Sequence, residues 1–184
     1  SVLVSRMLAG ETIALVSDAG SPAISDPGVD LARACYEAGV PVTSLPGAAA
    51  VITALTLSGM KARRFTFEGF LPVDKKERQS VLDRLCGTTC TTVFYEAPHR
   101  LRKTLQLFTD ILGEERRIAV CKELTKKHEK ALHFTLGEAN AYFTENEPRG
   151  EFVLVIEGAD EEALLQEAQE KWQEMPLDKH MAHY

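Results

Sequence analysis

The chain has 184 residues, of which 45% are hydrophobic and 26% are charged, a composition typical of globular proteins. It contains no apolar stretch of the roughly 20 residues that a membrane-spanning helix needs, and we expect a cytoplasmic protein without membrane association. Its four cysteines are scattered and lack the paired spacing of a zinc site, which favours reduced thiols and no bound metal.

The formal net charge of −6 comes from residues 157–184, which hold eight acidic residues and two lysines. Residues 1–156 carry no net charge, and most of their cationic side chains lie beyond residue 60. Such cationic clusters usually form a solvated surface, but several together can bind phosphate groups. The clusters are Lys61/Arg63/Arg64, Lys75/Lys76/Arg78, His99/Arg100/Arg102/Lys103, Arg116/Arg117 and Lys126/Lys127/His128.

Hydrophobic patterning predicts alternating strands and helices, which indicates an α/β fold. The predicted strands are residues 12–16, 40–45, 65–67, 91–95, 118–122, 131–135 and 152–156. The predicted helices are residues 26–38, 48–57, 76–85, 100–112 and 160–174, the first with Asp26 as its N-cap and Pro27 at its first position. We expect an N-terminal α/β lobe at residues 1–60, a C-terminal α/β lobe at residues 61–158 and an acidic helical tail at residues 159–184.

The apolar run at residues 12–16 leads into a loop of very small side chains, Ala19, Gly20 and Ser21. Open α/β sheets bind nucleotide-like ligands at such loops, because backbone groups can lie directly against the ligand. The same pattern is equally typical of an ordinary connection between a strand and a helix, since no known glycine-rich phosphate motif is present.

Six segments, in a fixed order, cover most of the chain. They are residues 16–28 (VSDAGSPAISDPG), 45–48 (LPGA), 67–72 (FEGFLP), 94–100 (FYEAPHR), 122–126 (KELTK) and 149–158 (RGEFVLVIEG). Together they resemble the class of S-adenosylmethionine-dependent methyltransferases typified by the tetrapyrrole methylases. The third and fourth segments are more similar to the branch that methylates a ribose 2′-hydroxyl of a cytidine in 16S ribosomal RNA than to the corrin and porphyrin branch.

The resemblance implies a class III type methyltransferase fold of two α/β lobes, usually a homodimer, with S-adenosyl-L-methionine in the cleft between the lobes. Its substrate would be 16S rRNA or the small ribosomal subunit. It also implies that a strand–helix–strand unit before residue 12 is missing, so that the chain is N-terminally truncated and residues 1–10 are the end of a helix. Two alternatives stay open: a tetrapyrrole C-methyltransferase, or an inactive fragment that binds the cofactor.

The resemblance also assigns individual residues. The expected cofactor contacts are Asp18, Ala19, Gly20, Ser21, Ile24, Ala49, Ala50, Tyr95 and Leu124. Arg100 and Lys126 are expected to contact RNA, because guanidinium and ammonium groups suit phosphate oxygens. The sequence does not identify a general base, and the candidates are Glu96, His99, Glu123 and Lys126. Glu68 and Glu151 are expected to orient backbone groups or to pair with Arg100 and Arg149.

Overall fold

The computed structural model describes residues 1–173, so the last part of the predicted tail, residues 174–184, lies outside the described residues. The chain divides into two compact units, Ser1–Thr53 and a second unit that begins at Ala54. None of the helices within residues 1–173 combines the length and the apolar character needed to cross a membrane. The elements are α1 (Val2–Leu8), α2 (Val29–Glu37), α3 (Ala50–Ser58), β1 (Phe65–Phe70), α4 (Lys75–Gly87), β2 (Thr91–Glu96), α5 (Pro98–Leu112), β3 (Arg117–Lys122), β4 (Lys130–Thr135), α6 (Leu136–Glu145), β5 (Phe152–Ile156) and α7 (Glu161–Gln173).

The first unit contains α1, α2 and the beginning of α3, joined by segments without regular structure. Helix α1 confirms the helix expected within residues 1–10. The predicted strands at residues 12–16 and 40–45 are wrong, and Leu15 and Val16 are 44% and 81% exposed. A strand requires ladder hydrogen bonds to a neighbouring strand, and no strand of the described residues pairs with either segment.

The start of α2 differs from the prediction. Gly28 is the N-cap residue, with a φ of 142° that only glycine adopts readily, so Asp26 and Pro27 lie before the helix. The prediction that Asp26 caps this helix with Pro27 at its first position is therefore wrong, because the backbone at Gly28 is not helical. Helix α3 begins at Ala50, two residues later than predicted.

The second unit is built on a five-stranded sheet with the order β1-β2-β5-β3-β4. Strand β1 pairs parallel with β2, whereas β5 pairs antiparallel with both β2 and β3, and β4 pairs antiparallel with β3. Strands β1, β2 and β3 therefore run in the same direction. We call the end of the sheet where these three strands finish, at Phe70, Glu96 and Lys122, the carboxyl edge. Strands β4 and β5 begin there, and Phe152 lies opposite both Glu96 and Lys122.

Strand β5 is buried along its whole length because both faces of the sheet are covered. On one face, Phe152, Leu154 and Ile156 pack in a cluster with residues of α4, α5 and α6, including Phe108. On the other face, the Cys121 Sγ donates a weak hydrogen bond of 4.0 Å to the Ala54 carbonyl. Burial raises the pKa of the Cys121 thiol to about 11, so this cysteine is protonated and unreactive.

The strands predicted in residues 65–156 are confirmed, and β1 extends three residues further than expected. Helix α6 was not among the helices predicted from the sequence. A sequence signal for it exists, because Thr135 and Glu138 form a capping box in which each side chain accepts a hydrogen bond from the backbone N–H of the other. All four cysteines are free, as expected.

Candidate functional site

The loop of residues 18–21 lies against the beginning of α3 within the first unit. The Ser21 N–H donates to the Ala48 carbonyl at 2.9 Å, and the Ser21 Oγ donates to the same oxygen at 3.3 Å. Helix α3 begins two residues after Ala48. The structure therefore brings the predicted cofactor residues of this loop together with the predicted pair Ala49 and Ala50.

The contact between the loop and α3 leaves no room for a side chain at Gly20. A Cβ there would lie 2.9 Å from the Ala48 carbonyl oxygen, and the φ of Gly20 is 76°. Asp18 and Ala19 are exposed next to it, and Ile24, further along the loop, is 45% exposed. The Ser17 hydroxyl stabilises the conformation of the loop, because its Oγ lies 3.2 and 3.3 Å from the carbonyl oxygens of Ala19 and Gly20.

The remaining candidates belong to the second unit, and all of them lie at its carboxyl edge. They are Tyr95, Glu96, His99, Arg100, Glu123, Leu124 and Lys126. They meet there because β2 and β3 end on the same side of the sheet, although a strand of opposite direction separates them. The ring of Tyr95 packs edge-on against Phe67 and Phe70, with centroid distances of 4.9 and 5.8 Å.

Glu96 is the centre of a buried polar network, with 1% of its side chain exposed. Its Oε1 accepts from the Ala97 N–H at 2.8 Å and lies 3.4 Å from the Arg100 Nε, and its Oε2 accepts from the Thr104 hydroxyl at 2.6 Å. The Arg100 Nη2 donates to the Leu71 carbonyl at 2.6 Å. This network joins the end of β2, the first turns of α5 and the segment after β1, so Glu96 is engaged in holding the edge together.

Arg100 is largely occupied by these internal contacts, and its role in RNA binding stays a prediction. The expected pairing of Glu68 with Arg100 is wrong, because Glu68 lies 3.3 Å from Arg84 of α4 instead. The sequence analysis missed Thr104 as a partner of Glu96. Glu96 ends β2 and Arg100 lies in the first turn of α5, so the short connection between these elements brings the two side chains together.

A second polar cluster follows β3 and involves Glu123, Lys126 and Glu151. The Glu123 Oε1 accepts from the Glu151 N–H at 2.8 Å, and the Lys126 Nζ lies 3.3 Å from that oxygen and 2.9 Å from the Glu151 Oε2. The expected pairing of Glu151 with Arg149 is wrong, because Arg149 pairs with Glu147, two residues before it, at 2.6 Å.

Hydrogen bonding in this cluster fixes the charges of Glu123 and Lys126. The Glu151 N–H, followed by Lys126, holds the pKa of Glu123 below its usual value. The carboxylates of Glu151 and Glu123 raise the pKa of Lys126. Lys126 is therefore cationic at neutral pH and cannot accept a proton, and Glu123 is a weaker base than an ordinary carboxylate.

His99 differs from the other three base candidates. It is exposed in the first turn of α5, directly after the Pro98 that begins this helix. Within the part of the chain that the structure describes, its imidazole makes neither a hydrogen bond nor an ion pair. Its side chain is thus available to an external group.

Comparison with known proteins identifies the family. The Tetrapyrrole (Corrin/Porphyrin) Methylases match residues 1–140, and the chain belongs to this family. Two curated relatives are each named Ribosomal RNA small subunit methyltransferase I. The protein from Synechocystis sp. is 52% identical over 160 residues, which are 87% of this chain and 57% of the relative. The protein from Halalkalibacterium halodurans is 43% identical over 182 residues, which are 99% of this chain and 62% of the relative.

A solved structure shares the fold at low sequence identity. It is the uroporphyrin-III C-methyl transferase from Thermus thermophilus complexed with S-adenyl homocysteine, which has a TM-score of 0.57 and 17% identity over 85% of this chain and 70% of the other. The expected class of α/β fold is therefore confirmed. The chain spans about three fifths of the length of the curated relatives that it matches.

We predict that Glu96→Gln lowers the free energy of unfolding by roughly 1–3 kcal/mol, because the neutral amide loses the charge that pairs with Arg100 and offers one acceptor oxygen where the carboxylate uses two. Urea unfolding measures the change. Glu115→Gln, at an exposed position between α5 and β3, is the matched control. Equal stability of the two variants would contradict a structural role for the Glu96 carboxylate.

We also predict that the stabilisation by Glu123 depends on pH. Because the folded state lowers the pKa of this carboxyl from 4.5, its ionised form stabilises the fold above pH 4.5, and this contribution disappears as the pH falls through the lowered pKa. The difference in thermal unfolding midpoint between the wild type and Glu123→Gln should therefore be largest at neutral pH and shrink below pH 4.5.

The variant Lys126→Gln separates the two causes of this effect. When both proteins carry Lys126→Gln, the difference in unfolding midpoint caused by Glu123→Gln should depend less on pH but still depend on it. The reason is that the Glu151 N–H lowers the pKa of Glu123 more than Lys126 does. If the difference in unfolding midpoint does not change with pH, with or without Lys126→Gln, the ionised form of Glu123 does not stabilise the fold.

Proposed function

We propose that this chain belongs to an S-adenosyl-L-methionine-dependent methyltransferase that modifies a ribose 2′-hydroxyl of a cytidine in 16S ribosomal RNA. The observation that supports this substrate assignment is the 52% identity with a relative named Ribosomal RNA small subunit methyltransferase I. The tetrapyrrole alternative has weaker support, because the uroporphyrin-III enzyme shares only 17% identity and therefore indicates the fold alone.

The loop of the first unit fits S-adenosyl-L-methionine. Asp18, Ala19 and Gly20 are exposed, so their backbone groups are open to a ligand. Residues Asp18–Ser21, with Ile24, Ala49 and Ala50, would hold the cofactor through backbone groups and the Asp18 carboxylate, and the resemblance adds Tyr95 and Leu124. When bound, the cofactor supplies an electrophilic sulfonium methyl group.

His99 is the residue that we propose as the general base. A ribose hydroxyl is a weak nucleophile, and a base that accepts its proton increases the rate of attack. Imidazole groups accept protons near neutral pH. Glu96, Glu123 and Lys126 are all engaged in internal hydrogen bonds or ion pairs, whereas the side chain of His99 has neither within residues 1–173.

Other parts of the proposal rest on the names of the relatives and on the resemblance. We propose that the protein acts in the cytoplasm on 16S rRNA or on the small ribosomal subunit, and that it is a homodimer. Lys126, whose pKa is raised by its two carboxylate partners, supplies a permanent positive charge for RNA phosphates. Arg100 contributes mainly to the stability of the fold and to a smaller extent to RNA binding.

We predict that Gly20→Ala weakens S-adenosyl-L-methionine binding about tenfold or more, which corresponds to at least ~1.4 kcal/mol, because the new Cβ forces the loop away from Ala48. Calorimetric titration measures the affinity. Gly39→Ala is the control, since Gly39 also has a positive φ of 71° but has nothing within 4 Å of an added Cβ. Equal losses in both variants would mean that backbone strain alone acts and that the loop is not the cofactor site.

The test of the proposed function is methyl transfer from labelled S-adenosyl-L-methionine to small ribosomal subunits, with a uroporphyrinogen-type macrocycle as the alternative acceptor. We expect label in 16S rRNA, and we expect His99→Ala to reduce the rate by about 100-fold or more while its cofactor affinity stays at the wild-type level. Label in the macrocycle alone would support the tetrapyrrole alternative. Cofactor binding without any transfer would support the inactive fragment.

A further inference from the structure

The topology of the second unit sorts the five cationic clusters of the sequence between the two ends of the sheet. Lys61/Arg63/Arg64 precede β1 and Arg116/Arg117 stand at the start of β3, so both clusters lie at the end opposite the carboxyl edge. The other three clusters follow β1, β2 or β3 and lie at the carboxyl edge. The sequence alone does not separate them, because the two groups alternate along the chain.

Acidic side chains lie near the cations at the opposite end. Lys61, Arg63 and Arg64 line an open depression of about 680 Å³ that is also lined by Glu157 and by three acidic residues at the start of α7, Asp160, Glu161 and Glu162. The Arg116 Nη1 donates to the Glu157 carbonyl at 3.1 Å, and the Arg117 Nη1 lies 4.0 Å from the Glu157 Oε1. The excess of acidic residues that begins at residue 157 is therefore placed beside these cations.

The carboxylates at the carboxyl edge are instead engaged locally. Asp74 accepts from the N–H groups of Lys76 and Glu77 as the N-cap of α4, and the Glu129 carboxylate accepts from the Thr125 N–H at 2.6 Å. Glu96, Glu123 and Glu151 hold Arg100 and Lys126 in the two networks described above. The exposed carboxylates here for which the described residues provide no ion-pair partner are Asp74, Glu77 and Glu129.

Exposed lysines therefore remain in excess at the carboxyl edge. Lys75 and Lys76 begin α4, Lys103 lies one turn beyond His99 on α5, and Lys127 lies between β3 and β4. All four are exposed, and among residues 1–173 no carboxylate lies within 4.0 Å of their ammonium groups. They belong to three segments, α4, α5 and the loop between β3 and β4, which all follow strands that end at the carboxyl edge.

We infer that these lysines form the surface that binds the phosphate backbone of the RNA substrate. This inference rests on the proposed function and extends the RNA site beyond Arg100 and Lys126, whose charges are shared with carboxylates of the protein. Ammonium groups without protein partners can release counterions from RNA phosphates at no cost in broken ion pairs. The opposite end, where Glu157 and the acidic residues of α7 lie near the cations, would then face away from the RNA.

The test compares two triple variants with the same change in charge. Lys76→Gln/Lys103→Gln/Lys127→Gln removes one lysine from each of the three elements at the carboxyl edge, and Lys61→Gln/Arg63→Gln/Arg64→Gln removes the cluster at the opposite end. Filter binding of 16S rRNA at increasing salt gives the slope of log K against log[salt]. We expect the first variant to flatten this slope by about 2, since each phosphate contact contributes about 0.7 for a single strand, and the control to keep the wild-type slope.

Three outcomes would overturn the inference, and they differ in what else they overturn. Equal flattening in both variants, or flattening in the control alone, would remove the carboxyl edge as the RNA surface and leave the proposed function intact. A loss of binding to small subunits with unchanged binding to naked 16S rRNA would assign the lysines to a ribosomal protein. Failure of the wild-type chain to bind any RNA would overturn the proposed substrate as well.

Discussion

The antiparallel pairing of β5 with both β2 and β3 is the constraint on which the second unit depends. This strand comes last in sequence among the five strands of residues 1–173, yet it lies between two strands that run in the opposite direction. Because β5 is the strand that joins β2 to β3 through its hydrogen bonds, it holds the ends of β2 and β3 at a fixed separation with Phe152 opposite both. The candidate residues reach one edge for this reason.

Polar networks then determine which side chains at this edge are available for chemistry. A buried carboxylate is stable only when its hydrogen-bonding capacity is used, and Glu96 satisfies this condition with Ala97, Thr104 and Arg100. The cluster of Glu123, Lys126 and Glu151 is more exposed but is equally self-contained. Groups that hold each other in place preserve the shape of the edge, while His99 and the exposed lysines have no ion-pair partner among the described residues and can contact an external molecule.

The first unit positions its candidate residues through backbone hydrogen bonds instead of ion pairs. Its loop is positioned by backbone groups, since the N–H and hydroxyl of Ser21 share the Ala48 carbonyl, and the close approach excludes any side chain at Gly20. Exposed backbone and small side chains of this kind suit a ligand recognised through its amino, carboxyl and hydroxyl groups.

The sequence by itself determined the family, the α/β class and the loops that carry the candidate residues. Those features depend on local motifs and on hydrophobic periodicity, which are properties of neighbouring residues. It predicted the strands of the second unit well, because long apolar runs such as residues 152–156 leave little ambiguity. It was wrong for residues 12–16 and 40–45, because an apolar run becomes a strand only when another strand completes its hydrogen bonds, and that partner is not visible in the local pattern.

Only the tertiary structure decided which charges are matched and which remain exposed. Glu68 pairs with Arg84 rather than with Arg100, and Glu151 pairs with Lys126 rather than with Arg149. These choices depend on distances of a few ångströms between residues 16 and 25 positions apart, which no spacing rule encodes. The division of the lysines and arginines between the two ends of the sheet has the same origin, since strand order and direction are set by packing of the whole unit.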